Sequence, residues 1–300
     1  MTRHPAQSSD FRPYLGVGLG VITVSTAAIL IRLAQIEAHS LVIAAWRLTL
    51  ATLILAPIVL GTHRSELRAL TRHEWVSALV SGLLLALHFA TWITSLALIS
   101  VAASVLLVTT NPIFVGLASH LLLRERLSRD MVVALLVTTA GGVLIGLGDL
   151  GEGTHRLWGD VLALVGAMAG AGYFLIGRRL RARLSLLAYV FPVYGTAALT
   201  LMTIMLLSGL PPIPQHPQTW ASLLLLALGP QILGHSSLNW ALRYLSATYV
   251  TVAILGEPIG STLLAWWLLR EQPSLWAVAG GGLILVGIAI ASHAERPAEA

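Results

Sequence analysis

Set within the apolar runs of this 300-residue chain are side chains able to do chemistry: His88, Asn111, Gln231, His235, Asn239 and Glu257, with Trp92, Tyr173 and Ser261 among them. Histidines near serines suit acyl transfer only where a base activates the nucleophile. Gly234-His235-Ser236-Ser237 has no orienting carboxylate close by in sequence, and no Gly-x-Ser-x-Gly occurs. A metal held by His88, His235 and Glu257 would lack the His-x-x-x-His spacing that supports such a site. The chain has no cysteine, which excludes disulfides, thiolate metal sites and thiol chemistry. An intramembrane enzyme is therefore the weakest reading, and no cofactor or metal is expected. What these groups can do is hold a ligand. An ionisable side chain at bilayer depth costs about 2.5–3.5 kcal/mol on insertion scales, so it marks a ligand or ion path by default.

Spacing sorts these groups onto faces. Gln231, His235, Asn239 and Arg243 recur every four residues, one polar stripe on an α-helix. Ser81, His88, Trp92 and Ser95 follow at seven, four and three, a second such face. A stripe turned to lipid would leave polar groups without partners, so both are expected to look inward. Asn111 precedes Pro112, and Glu257 precedes Pro258. A proline inside a helix has no N–H for the carbonyl four residues back, here Val108 and Ile254. Kinked helices with freed carbonyls are expected to flank a polar cavity, the alternative being a plain packing kink. Arg47 either snorkels to the headgroups or pairs with Glu37 or Glu257. Trp92, Tyr173 and Tyr249 are candidates for stacking a planar substrate, or plain packing groups.

The elements that must position these residues follow from composition. Hydrophobic residues make up 56% and charged residues 10%, with a mean hydropathy of +0.83. Soluble domains carry roughly 25% charged residues. A bilayer crossing needs about 20 mostly apolar residues. About ten such runs occur, near 14–33, 41–61, 75–98, 101–123, 131–148, 158–177, 187–208, 220–242, 248–269 and 274–292. Backbone groups in lipid must be satisfied within each span, so the expected class is an all-α polytopic membrane protein. Residues 1–13 are polar, and no small-residue cleavage site follows the first run, which reads as a first span rather than a signal peptide. The formal charge of +5 does not point to nucleic acid, because every basic side chain is arginine and the arginines follow the membrane. With the N-terminus inside, internal segments hold Arg64, Arg68, Arg72, Arg124, Arg126, Arg129, Arg178, Arg179, Arg181, Arg183 and Arg243, while external loops hold only Arg156 and Arg270. Both termini are thus expected in the cytoplasm. The expected partners are the lipid bilayer and a small molecule, the chain acting as a monomer.

Two stretches some 146 positions apart repeat one another. Val108–Phe114 leads to Leu122–Ser128, and Ile254–Gly260 leads to Leu268–Ser274, with Pro112 matching Pro258 and Arg124-Glu125 matching Arg270-Glu271. The same offset pairs Gly20 with Gly166, Arg32 with Arg178 and Gly141 with Gly287. The division expected is a tail 1–13, a five-helix repeat 14–148, an external linker 149–157, a second repeat 158–292 and a tail 293–300. Five crossings is an odd number, so the second repeat must return inverted, and inverted pairs hold substrate near the midplane. Gly16/Gly20 and Gly166/Gly170 have small-xxx-small spacing, read as close packing of spans one and six or a gate sliding there. Glu125 and Glu271, each after an arginine, read as caps or local ion pairs.

The doubled proline helix, the downstream Leu123-Arg124-Glu125 and Leu269-Arg270-Glu271, and the glycine-rich closing helices (Gly141, Gly142, Gly146; Gly280, Gly281, Gly282, Gly287) resemble the EamA family of the drug/metabolite transporter superfamily. Arg47 sits where that family's first repeat often carries arginine, whereas the second half has none near Val193. The resemblance covers nearly the whole chain. It implies ten helices, a central cavity and export of small metabolites, commonly amino acids. Within the family the chain is similar to the YddG-type aromatic amino-acid exporters. It departs from the small four-helix relatives, whose first helix carries a coupling carboxylate: 14–33 has none, and Asp160 sits at the mouth of span six. On this reading a zwitterion would offer its carboxylate to the histidines, Asn111 and Asn239, and its ammonium to Glu257. A broad drug/metabolite exporter is the nearest alternative. Phosphorylated substrates would want more than one cavity arginine or lysine.

Overall fold

A computed structural model describes residues 11–118, 128–147, 154–270, 272 and 275–294. The helix-end motifs at Arg124-Glu125 and Glu271 lie outside these. The helices are α1 (Arg12–Ala34), α2 (Ser40–Thr62), α3 (Arg72–Ser95), α4 (Val101–Ala118), α5 (Arg129–Leu147), α6 (Thr154–Arg181), α7 (Leu186–Leu207), α8 (Pro217–Ala241), α9 (Ala247–Leu268) and α10 (Leu275–Ala294). Of these, α1–α4 and α6–α9 are long and apolar enough to cross a bilayer, and α5 and α10 are two further apolar helices. Small polar residues start them where the chain turns. Ser100 and Ser246, at matching places in the two halves, cap α4 and α9 by accepting from the N–H three residues on. Thr71 and Glu74 form a reciprocal capping box at α3. Each cap satisfies a donor that the helix leaves orphaned, worth about 1 kcal/mol.

The halves interleave. Five of the pairings are α1 with α8, α3 with α6, α2 with α7, α4 with α9 and α5 with α10. Exchanging the halves turns α1·α8 into α6·α3 and maps each of the others onto itself. The glycines show the same relation at atomic scale. A methyl built on Gly20 would lie 3.3 Å from the carbonyl oxygen of Gly234, and one on Gly166 would lie 3.4 Å from that of His88. At the α5·α10 crossing, a methyl on Gly141 would lie 2.5 Å from the Gly280 carbonyl oxygen, and one on Gly287 would lie 3.0 Å from that of Ala134. Within each of these two comparisons the partners are 146 positions apart, so a pseudo-two-fold axis relates the halves. The glycines of α1 and α6 therefore do not meet one another, contrary to the sequence expectation. Gly16 faces the Trp240 ring on α8, and Gly170 faces the His88 ring on α3. The axis sets the first helix of each half against the third helix of the other.

Proline and glycine interrupt the helices that matter most. α4 breaks at Thr109–Thr110, between Val101–Val108 and Asn111–Ala118. α9 breaks at the matching Leu255–Gly256, between Ala247–Ile254 and Glu257–Leu264. In each, a short turn bond replaces the lost one: Ile113 donates to the Thr110 carbonyl at 3.0 Å and Ile259 to that of Gly256 at 3.1 Å. α8 is not the regular α-helix its four-residue stripe suggested, because Ala227–His235 is π-helical. Pro230 removes a rung of the ladder, and the widened turn is tied to α7 by Tyr194. That hydroxyl donates to the Gln231 carbonyl at 3.4 Å and shares a hydrogen bond of 3.2 Å with Ser236. A π-turn inside a helix is a frequent mark of a functional site.

Two carboxylates staple the α2·α7 pair at its ends. Glu66 accepts from the Ser185 N–H at 2.7 Å and from its hydroxyl at 2.6 Å. At the far end Glu37 accepts from Thr219, Gln215 and His216. The Thr219 hydroxyl above all, then the two backbone N–H groups, hold the Glu37 carboxyl below the ordinary carboxylate range.

Candidate functional site

The breaks in α4 and α9 open onto one cavity of ≈ 430 Å³, its mouth included. Its polar lining is Arg47 from α2, His88 and Trp92 from α3, Thr109 and Asn111 from α4, His235 from α8 and Glu257 from α9. Val24, Ala27, Val108, Phe174, Leu238 and Ile254 make the apolar part. Val108 and Ile254 are the residues whose carbonyls lose their helical donor to Pro112 and Pro258. The wall obeys the pseudo-two-fold axis in position: Val108 matches Ile254, Trp92 matches Leu238 and Asn111 matches Glu257. It breaks that symmetry in charge. Asn111 is neutral where Glu257 is ionisable, and Arg47 is matched by Val193.

Arg47 does not snorkel. Its side chain is 0% exposed. Its Nε–H donates to Gln231 Oε1 at 2.9 Å, and its Cζ stands 4.1 Å from the centroid of the Phe89 ring. The π-turn of α8 presents Gln231 to it, and the ring offers a cation–π face. Nη1 and Nη2 have no hydrogen-bond partner among the described residues. Glu37, one suggested partner, is engaged at the α7–α8 loop, and Glu257 lines the same cavity without forming an ion pair within 4.0 Å.

The histidines sit together on the α3–α8 side, their ring centroids 6.5 Å apart. His88 Nδ1 lies 2.9 Å from the Gly166 carbonyl oxygen, which can only accept, so that nitrogen carries the proton. The His88 ring also stacks on Trp92 at 5.8 Å. His235 Nδ1, Trp92 Nε1 and Asn111 Oδ1 are buried without partners among the described residues.

Four of the sequence candidates stand behind the wall. Asn239 donates to the Tyr173 hydroxyl and, at 2.7 Å, to the His235 carbonyl, which fixes the backbone carrying His235. Gln231 holds Arg47. Ser261 donates to the Pro258 carbonyl at 3.2 Å. Tyr173 thus faces Asn239, while its neighbour Phe174 supplies the aromatic surface of the cavity. Tyr249 shares a hydrogen bond with Ser292 and packs edge-on against Tyr14 instead. Among the polar and aromatic lining residues, Arg47, Thr109 and Phe174 are the ones missing from the cavity candidates of the sequence. Arg47 had a signal, a full charge a turn and a half into an apolar run. Thr109 and Phe174 had none beyond lying next to the break and to Tyr173. No group of three or more His, Asp or Glu able to hold a metal occurs among the described residues.

The EamA-like transporter family matches residues 12–147 and again 157–293. This chain belongs to that family. Its two EamA repeats coincide with the halves exchanged by the pseudo-two-fold axis, and it is a multi-pass membrane transporter. The pseudopaline exporter CntI of Pseudomonas aeruginosa is 31% identical over 229 residues, covering 76% of this chain and 78% of that protein. The uncharacterized transporter YdfC of Bacillus subtilis is 24% identical over 193 residues, covering 63% and 62%. A solved chain titled "Crystal structure of protein" superposes with a TM-score of 0.75 at 22% identity, covering 94% of this chain and 96% of that one. That likeness speaks for the fold alone.

Proposed function

We propose that this EamA transporter exports small metabolites, foremost amino acids with neutral or aromatic side chains, by alternating access around the cavity between α4 and α9. In this reading α5 and α10 complete ten spans, the repeats are inverted in the bilayer, and both termini lie in the cytoplasm. The observation that carries it is a chamber lined by a basic and an acidic side chain, Arg47 and Glu257, that form no ion pair within 4.0 Å. A zwitterion complements both. A purely cationic drug would leave Arg47 unmatched, which is costly in a site of low dielectric. His88, Trp92 and Phe174 give a planar side chain surfaces to lie against. A pseudo-two-fold axis supplies the second state of the cycle, because exchanging the conformations of the halves turns the cavity to face the other side. A relative named as an exporter supports the outward direction.

The test is counterflow into liposomes holding the purified protein, with labelled Phe, Trp, Thr and Met. Exchange of at least one is expected. Movement of a cationic dye with none of the four would sink the amino-acid assignment.

A further inference from the structure

We infer that Arg47 receives the substrate's carboxylate through the free edge of its guanidinium, and that the cationic end of the same ligand lies against Asn111 and Glu257. This rests on the amino-acid reading above and assigns each end of that substrate to a wall of the cavity. The guanidinium is committed on two sides. Its Nε–H is spent on Gln231 Oε1 at 2.9 Å, and one face is covered by Phe89 at 4.1 Å. What remains is the edge bearing Nη1 and Nη2, both unpartnered on a side chain that is 0% exposed and lines the cavity. Arginine stays protonated in proteins, so this edge is a permanent cation cut off from bulk water. Leaving such a group unmatched is strongly destabilising, which favours an anion entering the cavity against it. Two parallel N–H donors in one plane match the two oxygens of a carboxylate.

The remaining unmatched atoms give the ligand a heading. Trp92 Nε1, on neighbouring α3, can only donate and is likewise without a partner. On α4, Asn111 Oδ1 can only accept, and on α9 Glu257 is the acid at the matching position of the other half. The unmatched donors named here thus stand on α2 and α3, and the acceptors on α4 and α9. A molecule with a carboxylate at one end and an ammonium at the other fills both sets.

The experiment uses wild-type protein first. Proteoliposomes are loaded with whichever of Phe, Trp, Thr or Met gives the strongest counterflow. The external competitors are that amino acid, its amide, which lacks the carboxylate, and its deaminated acid, which lacks the ammonium. Both analogues are expected to compete on the order of tenfold or more weakly than the amino acid. Arg47→Lys keeps the charge and loses the fork. It is expected to raise KM for the amino acid while leaving competition by the amide unchanged, so discrimination between acid and amide collapses. An amide that competes as well as the amino acid overturns the assignment without any variant, and leaves amino-acid transport standing. So does Arg47→Lys with discrimination intact. If none of the four amino acids moves, amino-acid transport and the carboxylate assignment fall together.

Discussion

Asn111 and Glu257 occupy one structural position in two halves, yet only one of them can carry a charge. Among the described residues Glu257 makes no ion pair with Arg47. Glu257→Gln is therefore expected to fold, since it turns an acid–amide pair into two amides of the same shape, and to bind the amino acid more weakly, since the acid set against the ammonium is gone. It should also lose any response of transport to an imposed pH gradient, because an amide cannot take up or release a proton. Flux measured across liposomes with the inside buffered acid or alkaline reads this directly, and a variant that still follows the gradient removes Glu257 from coupling. At this scale the sequence was informative about acids and prolines and poor about arginine. A charge in an apolar run is visible, but Arg47 has equal reach to headgroups and to the interior. The choice depends on Gln231 and Phe89, which lie on other helices and meet it only in three dimensions. The residues behind the wall were misplaced for a related reason: spacing assigns a face, and Asn239 and Gln231 use that face to hold Tyr173 and Arg47 rather than to touch the cavity.

Helix positions were legible from apolar runs, and the breaks in α4 and α9 from Pro112 and Pro258, because each signal acts within a few residues. The π-turn of α8 was not. An unbroken four-residue spacing from Gln231 to Arg243 looks regular, and Pro230 gives no hint whether the helix will kink or widen. Tyr194 decides it by bonding to the opened turn from α7. Close approach is the other element-scale property, and it yields a quantitative expectation. A methyl on Gly141 would lie 2.5 Å from a backbone carbonyl oxygen of α10, whereas one on Gly282 meets nothing within 4 Å. Gly141→Ala must push α5 and α10 apart and is expected to cost about 1–3 kcal/mol, the usual range for overpacking. Gly282→Ala should leave stability unchanged or slightly raised. Thermal unfolding of both variants in one detergent compares them, and equal midpoints would mean the crossing is looser than described.

At the scale of the molecule, the 146-residue offset announced two related halves, and the pairing of α1 with α8 and of α6 with α3 shows how they interlock. Glycine spacing told of close contact without telling with whom, since the partner depends on how the halves interleave. Their orientation in the bilayer has a direct test, because the chain has no cysteine. Ser65 and Pro211 are exposed and equivalent, one following α2 and the other following α7. Single cysteines there are expected to react with an impermeant maleimide from opposite sides of the membrane, Pro211→Cys from outside and Ser65→Cys only after permeabilisation. Labelling of both from one side would end the inverted reading. The uneven lining described above also bears on ancestry and on handedness. Doubling the first half alone would give a vestibule with two guanidiniums and no acid, and doubling the second would give two acids and, at Val193, no cation. Only the fused pair makes three unlike attachment points, a cation, an acid and an aromatic shelf, and three unlike points are what a binding site needs to tell a left-handed passenger from its mirror image.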